Sequence, residues 1–305
     1  MTNNAHAGRA GRVVEYDGSL HQSNALRAIA MDAFQLDTYA ESRLIRARLG
    51  QGHQQVWLAD VEAASGPAGF LATFSTDSLA GRRIEFDLLA VRSDAQGQGL
   101  AGQLIQAALD YWRAPDTCAA RALIRQENVA SMRVFQRAGF APAAWRGELL
   151  IGAAAEEDSV LADGSFTVGT AEEHDLPDLR RHWPAIFTKV QLSSYLPRDD
   201  FGLLVARNES GICGFAELLA VHTIAYSGVW VETLEALGDD AGLILDLIGA
   251  ARRWAAGRGL GQAGAVIDLA RESVRNRLSD AGYHSAGVYR HFHLPATEGD
   301  ASWGI

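Results

Sequence analysis

The chain repeats itself. When its second half is slid back by 143 positions, Phe86–Phe140 lies over Val229–Tyr283 without a gap. Gly99, Leu100, Leu104, Ile105, Ala107 and Ala108 fall on Gly242, Leu243, Leu247, Ile248, Ala250 and Ala251, and Ile124 falls on Ile267. Ala138-Gly139-Phe140 likewise meets Ala281-Gly282-Tyr283. One offset that carries strand, turn and helix patterns together indicates two copies of one fold rather than a solenoid. A length of 305 residues accommodates this, being about twice the ~150 of a common domain. Over Ala153–Ser165 the apolar periodicity gives way to small and acidic residues, which reads as a join. The expected division is a first domain over 12–152, a linker over 153–165 and a second domain over 166–294, with flexible ends at 1–11 and 295–305.

One copy reads as follows. Leu26, Ile29, Ala30, Ala33, Leu44 and Ile45 carry helical spacing over 26–49. Val56–Val61 and Gly69–Phe74 read as strands either side of a Gly-Pro turn, and Ile84–Val91 as another. A glycine-rich turn leads into a helix from Leu100 to Trp112. A short strand over Ala122–Ile124 precedes a helix from Asn128 to Ala138, closed by Gly139. The fold class is α/β (mixed α+β), with a mostly antiparallel mixed sheet flanked by helices in each copy.

Composition narrows the classes of partner. The hydrophobic fraction of 48% supplies a core without disulfides or metals. Cys118 and Cys213 belong to no metal-ligand or redox spacing, so two free thiols in a reducing cytoplasm are expected. Met1–Gly11 is polar and small, unlike a signal peptide, and no apolar run reaches the ~18 residues of a membrane span. A net charge of −10 argues against nucleic acid and suits a cationic acceptor such as an amine.

The informative stretch is the turn Gln96-Gly97-Gln98-Gly99-Leu100-Ala101-Gly102, which joins the strand ending Leu89-Ala90-Val91 to a helix. The first amides of a helix lack intrahelical partners, and glycines let backbone approach a phosphate closely. The turn is neither a P-loop nor a full GxGxxG fingerprint. Gln96-Gly97-Gln98-Gly99-Leu100-Ala101 resembles the Gln/Arg-x-x-Gly-x-Gly/Ala signature of the GCN5-related N-acetyltransferases (GNAT). Asn128, Ser131, Phe135 and Gly139-Phe140 resemble that family's companion helix. The whole is similar to tandem GNAT proteins.

The resemblance implies an acyl-CoA-dependent N-acyltransferase. Acetyl-CoA would be its co-substrate, with no metal, and a primary amine of a small molecule its acceptor. Leu89, Ala90 and Val91 would pair with the pantetheine arm, and Gln96, Gly97, Gln98, Gly99, Leu100, Ala101 and Gly102 would wrap the pyrophosphate. Asn128 and Ser131 would lie near the pantetheine and Phe135 near the thioester sulfur. Many members carry a tyrosine at the Phe135 position as the acid for the leaving thiolate. Phenylalanine has no proton to give, which leaves Tyr39, Ser131 or solvent. Arg133 and Arg137 read as a solvated helix face, or as contacts to the terminal phosphate.

Acyl transfer also needs a proton acceptor. Strand alternation puts Glu85, Asp87, Leu89 and Val91 on one face unless a bulge intervenes, so Glu85 is the first candidate base and Asp87 the second. Asp32, Asp37 and Glu41 are candidates to attract a cation. His291 and His293 share a strand face without further metal ligands at readable spacing. In the second copy the turn becomes Asp239-Asp240-Ala241-Gly242, Asn128 becomes Arg271 and Phe135 becomes Leu278. Carboxylates where a pyrophosphate should bind predict a copy silent towards CoA. That copy would complete the acceptor pocket, mediate a possible homodimer or stabilise the first. Two alternatives stay open: acetylation of a protein N-terminus or lysine, and a non-catalytic CoA-binding sensor or scaffold.

Overall fold

The computed structural model describes residues 12–34, 42–50, 54–61, 66–112, 119–155 and 166–295. The first half runs β1 (Arg12–Glu15), α1 (Leu20–Phe34), α2 (Ser42–Leu49), β2 (Gln55–Asp60), β3 (Pro67–Ser78), β4 (Gly81–Val91), α3 (Leu100–Tyr111) and β5 (Ala119–Arg125). It ends with α4 (Val129–Arg137), a brief β6 (Ala141–Pro142) and β7 (Gly147–Ala153). The second half runs β8 (Thr167–Thr170), α5 (Leu176–His182), α6 (Pro184–Phe187), β9 (Phe201–Asn208), β10 (Gly211–His222) and β11 (Ser227–Ala236). It closes with α7 (Ala241–Ala256), β12 (Gln262–Asp268), α8 (Glu272–Asp280) and β13 (His284–Pro295). The single helical stretch expected over 26–49 is two helices. Gly139, at φ 94, ends α4 as the sequence predicts.

All the strands join one sheet in the order β1-β2-β3-β4-β5-β13-β7-β12-β11-β10-β9-β8, with β6 beside β13. The order is a palindrome of the two halves except at its centre, where the last strands have changed places. β13 pairs with β5, Tyr289 facing Arg125 through Pro295 facing Ala119. β7 pairs with β12, Gln262 facing Ala153 through Asp268 facing Gly147. Burial fixes this exchange as firmly as hydrogen bonding does. Phe292 of β13 is fully buried among Phe86, Phe135 and Phe140 of the first half, and Leu150 of β7 lies in the core beneath α7. A buried phenylalanine contributes about 1.5–3 kcal/mol. Limits of 12–152 and 166–294 therefore separate the helices but cut across the sheet, and 156–165 of the expected linker lie outside the described residues.

The hairpin tips are exchanged as well. Leu79, between β3 and β4, packs into the second-half core with Phe187 and Phe215. Ile224, between β10 and β11, packs into the first-half core with Leu26, Ile29 and Phe70.

The repeat holds at its sequence offset through α3, β5 and α4. It fails in the strand before them. Phe86 of β4 lies beside Ala122, whereas Val231, not Val229, lies beside Ala265, the counterpart of Ala122. The true overlay of β4 on β11 is thus two residues further along than the ungapped alignment places it, and the second-half turn is shorter by the same amount.

Candidate functional site

β4 and β5 run parallel only from Arg83 beside Ala119 to Phe86 beside Ala122, and no pairing joins Leu88–Val91 to β5. The two strands splay just where the register of β4 on β3 slips: Thr73 faces Phe86 and Ala72 faces Leu88, leaving Asp87 as an extra, bulged residue. The bulge reverses the alternation. Ile84 and Phe86 lie in the core under α3, and beyond the bulge Leu89 and Val91 take that side. Leu88 and Ala90 turn towards α1 and α2. The expected common face of Glu85, Asp87, Leu89 and Val91 therefore does not form.

Glu85 is clamped. Arg83 Nε donates to its Oε1 at 2.8 Å and Arg121 Nε to its Oε2 at 2.9 Å. The same guanidinium groups hold Glu232 of β11, Arg83 Nη2 at 2.7 Å and Arg121 Nη1 and Nη2 at 2.9 and 2.8 Å. Burial pushes Glu85 upward, but the two guanidinium charges hold it below the ordinary carboxylate value. A carboxylate so stabilised is a poor proton acceptor.

Asp87 has the opposite surroundings. Burial pushes its pKa up to about 6, and Glu85 adds to the rise, while hydrogen bonds from Thr223 and Gln54 oppose it. Gln54 Nε2 donates to Asp87 Oδ2 at 2.8 Å. The second half carries the same bulge: Glu217 faces Thr233 and Leu218 faces Val231, so Glu232 is the extra residue. The two bulge carboxylates are structural counterparts with opposite fates. Burial would raise Glu232 too, yet Arg121 and Arg83 hold it far below its ordinary value.

At the turn, Gly97 and Gly99 have φ of 78° and 81°, and Gly99 caps α3 with no side chain of its own to satisfy the helix amides. A Cβ placed on Gly97, Gly99 or Gly102 would meet nothing within 4 Å. Open backbone, positive φ and uncapped amides fit an anionic diphosphate. The matching start of α7 is already satisfied: Asp240 Oδ1 accepts from Gly242 N at 2.8 Å and Leu243 N at 3.1 Å. The second half thus supplies its own anion where the first leaves room for one.

Asn128 caps α4, its Oδ1 accepting from Ser131 N at 3.0 Å, so that carboxamide oxygen is engaged locally. Phe135 is 3% exposed, edge-on to Phe86 at 5.7 Å and Phe140 at 5.0 Å, and belongs to the core rather than to an open thioester pocket. Asp32 is exposed and accepts from Ser93 N at 2.7 Å. Asp37, Tyr39, Glu41 and Cys118 lie outside the described residues. Cys213 is a buried free thiol donating to Ala206 O. The His291 and His293 rings meet edge-on with centroids 5.7 Å apart, and burial keeps His291 well below its usual pKa. Among the described residues no group of three His, Cys, Asp or Glu is placed to hold a metal, and no helix is long and apolar enough to cross a membrane.

Sequence reasoning missed Gln54, Thr223, Arg83, Arg121, Glu217 and Glu232. Glu217 was discoverable, since it is the lone carboxylate of the long and mostly apolar strand Gly211–His222, where a charge needs a partner.

Residues 23–140 match the acetyltransferase (GNAT) family model. No curated protein matches the chain. Among solved structures, a GCN5-related N-acetyltransferase from Sphaerobacter thermophilus is 14% identical with a TM-score of 0.59, covering 94% of this chain and 96% of its own. The GCN5-related glucosamine N-acetyltransferase region of a fungal multi-domain β-N-acetylglucosaminidase is 17% identical with a TM-score of 0.57. That match covers 96% of this chain, which spans 39% of the fungal protein. At such identities the likeness speaks for the fold, and it extends over both halves. Residues 23–140 form a domain of the GNAT acetyltransferase family, within a chain whose two halves share that fold.

Proposed function

We propose that the first half transfers the acetyl group of acetyl-CoA to a primary amine of a small molecule, with Asp87 as the general base. The supporting observation is the contrast between the bulge carboxylates: Asp87 sits beside neutral donors with its pKa raised to about 6, and Glu232 is locked between two guanidinium groups. A base poised close to neutrality combines availability with proton affinity. Acetyl-CoA supplies an activated acyl thioester. The Gln96–Gly102 amides are suited to its diphosphate, and the unpaired edge at Leu89, Ala90 and Val91 to its pantetheine amides. An ammonium acceptor entering the splay loses its proton to Asp87. That first proton passes on to solvent, and as the nitrogen bonds the acyl carbon and the carbon–sulfur bond breaks, its second proton goes to Asp87 while the departing thiolate takes a proton from solvent. With Phe135 buried and Asn128 capping α4, neither has a part in this reading.

The division into a working domain (12–152) and a silent one (166–294) belongs to the same proposal. It is supported by Asp240 filling the second helix start. The Ile224 hairpin packs against Leu26, Ile29 and Phe70 of the first half, and an acceptor pocket bounded by it would favour a compact amine over an extended peptide. The test is release of free thiol from acetyl-CoA across a panel of primary amines, with calorimetric counting of CoA sites. One CoA per chain is expected, and two would refute a silent second half. Asp87→Asn should cut turnover by about 10²–10⁴-fold without loosening CoA binding. Turnover at the wild-type rate would exclude Asp87 as base.

A further inference from the structure

The carboxylate assigned as base is not held by its own half alone. Gln54, just ahead of β2, presents its amide nitrogen to Asp87 Oδ2 at 2.8 Å because its oxygen is taken: Oε1 accepts from the main-chain N of Ile224 at 2.8 Å. Ile224 lies in the β10–β11 hairpin of the second half. Arg48 Nη1 pins that tip from the other side, donating to Ile224 O at 2.6 Å. The neighbouring Thr223, 4% exposed, accepts from Tyr226 N at 3.0 Å, which leaves its hydroxyl proton free for the hydrogen bond it makes with Asp87. Both donors that reach Asp87 are thus oriented by main-chain amides of one hairpin, and that hairpin comes from the copy that has lost its own CoA turn.

We infer that the His222–Ser227 hairpin of the second half is a working part of the first half's acyl-transfer site, its Thr223 hydroxyl and Ile224 amide being positioning groups that keep Asp87 available as a carboxylate. This rests on the reading of Asp87 as base, and it gives the silent copy a chemical reason to persist. Donors directed at a carboxylate favour its ionised form, whereas burial favours the neutral one. The charged group acting on Asp87 from its own strand is Glu85, and it also disfavours ionisation. From the elements packed against it come Gln54 and Thr223, both uncharged; the guanidinium of Arg48 is spent on the Ile224 carbonyl. Without the hairpin's groups, burial and the repulsion of Glu85 meet less opposition, and the neutral form of Asp87 gains.

The test reads Asp87 directly rather than through turnover. Full-length protein carrying ¹³C-labelled aspartate is titrated by carboxyl NMR, with Asp87→Asn assigning the resonance. Thr223→Val removes the donor at nearly constant volume and should move the Asp87 midpoint upward by on the order of one pH unit. Thr223→Ser should restore it, and the other aspartates should stay in place. Gln54→Leu removes the second donor and should also move the midpoint upward. If Thr223→Val does not fold, Thr223→Ala gives the same reading. An Asp87 midpoint unmoved by loss of either donor would overturn the inference. That result is separable from failure of the base assignment, which is decided by the turnover of Asp87→Asn.

Discussion

Replacing Gly99 by aspartate gives the first half the kind of carboxylate that Asp240 places at the start of α7. Gly99 lies at φ 81°, ψ 2°, and an added Cβ there meets nothing within 4 Å, so no steric clash confounds the result. The cost of the left-handed backbone is smallest for Asp and Asn, which makes Gly99→Asn the matched control: same shape, same backbone, no charge. The remaining difference is Coulombic. A carboxylate roughly 5 Å from a phosphate charge is repelled by about 1 kcal/mol at the dielectric of water and about 3 kcal/mol at the screening typical of a protein surface. Taking the lower figure for an exposed turn, two phosphate charges give about 2 kcal/mol, or roughly 30-fold in Kd. Calorimetric titration with CoA at low and moderate salt measures it, and the gap between the variants should narrow as salt screens the repulsion. Equal affinity of Gly99→Asp and Gly99→Asn for CoA would refute the placement of the diphosphate at this turn.

The buried charges give two more predictions. Glu85→Ala leaves Arg83 and Arg121 under-compensated in a dry site and should cost about 3–5 kcal/mol in chemical denaturation. Turnover of the folded fraction should fall far less than in Asp87→Asn, and the reverse order would restore Glu85 as base. Glu217 is raised from an ordinary 4.5 to about 7, chiefly by burial and then by Glu232. The native protein therefore binds this proton more tightly than the unfolded chain. The associated stability is complete below about pH 4.5 and is lost as pH rises through 7. Glu217→Gln removes this dependence. Its stability relative to wild type should grow by about 3 kcal/mol between pH 4.5 and 7 and change little above that. A pH-independent difference between the two melting curves would contradict it.

What the sequence disclosed follows the range of the interactions involved. The Gly97–Gly99 turn, α3 and the Gly139 stop depend on neighbours a few residues away, and each is legible from local pattern. The bulge at Asp87 is a mismatch between two strands, and neither strand carries a signature of it, so alternation put Glu85 on the wrong face. Two residues lost before α7 left no visible gap, because the helix start slid to absorb them; the ungapped repeat is correct for α3 and out of register for β4. Arg83, Arg121 and Glu232 meet through contacts between the halves, as do Gln54 and Ile224, and no periodicity within one copy encodes them. The motif residues Asn128 and Phe135 were legible as motif, but their side chains serve a helix cap and a core.

The traded central strands bear on the order in which the chain is finished. A nascent first half emerges with the β5 edge open and with β7 lacking both its neighbours; β12 can take one side of β7 once residue 268 is made, but the place between β5 and β7 stays empty until β13, from residue 284 onward, is synthesised. The seam closes only when β13 leaves the ribosome. Until then the first half waits with bare main-chain groups on display, a period in which a second nascent copy is its most dangerous companion.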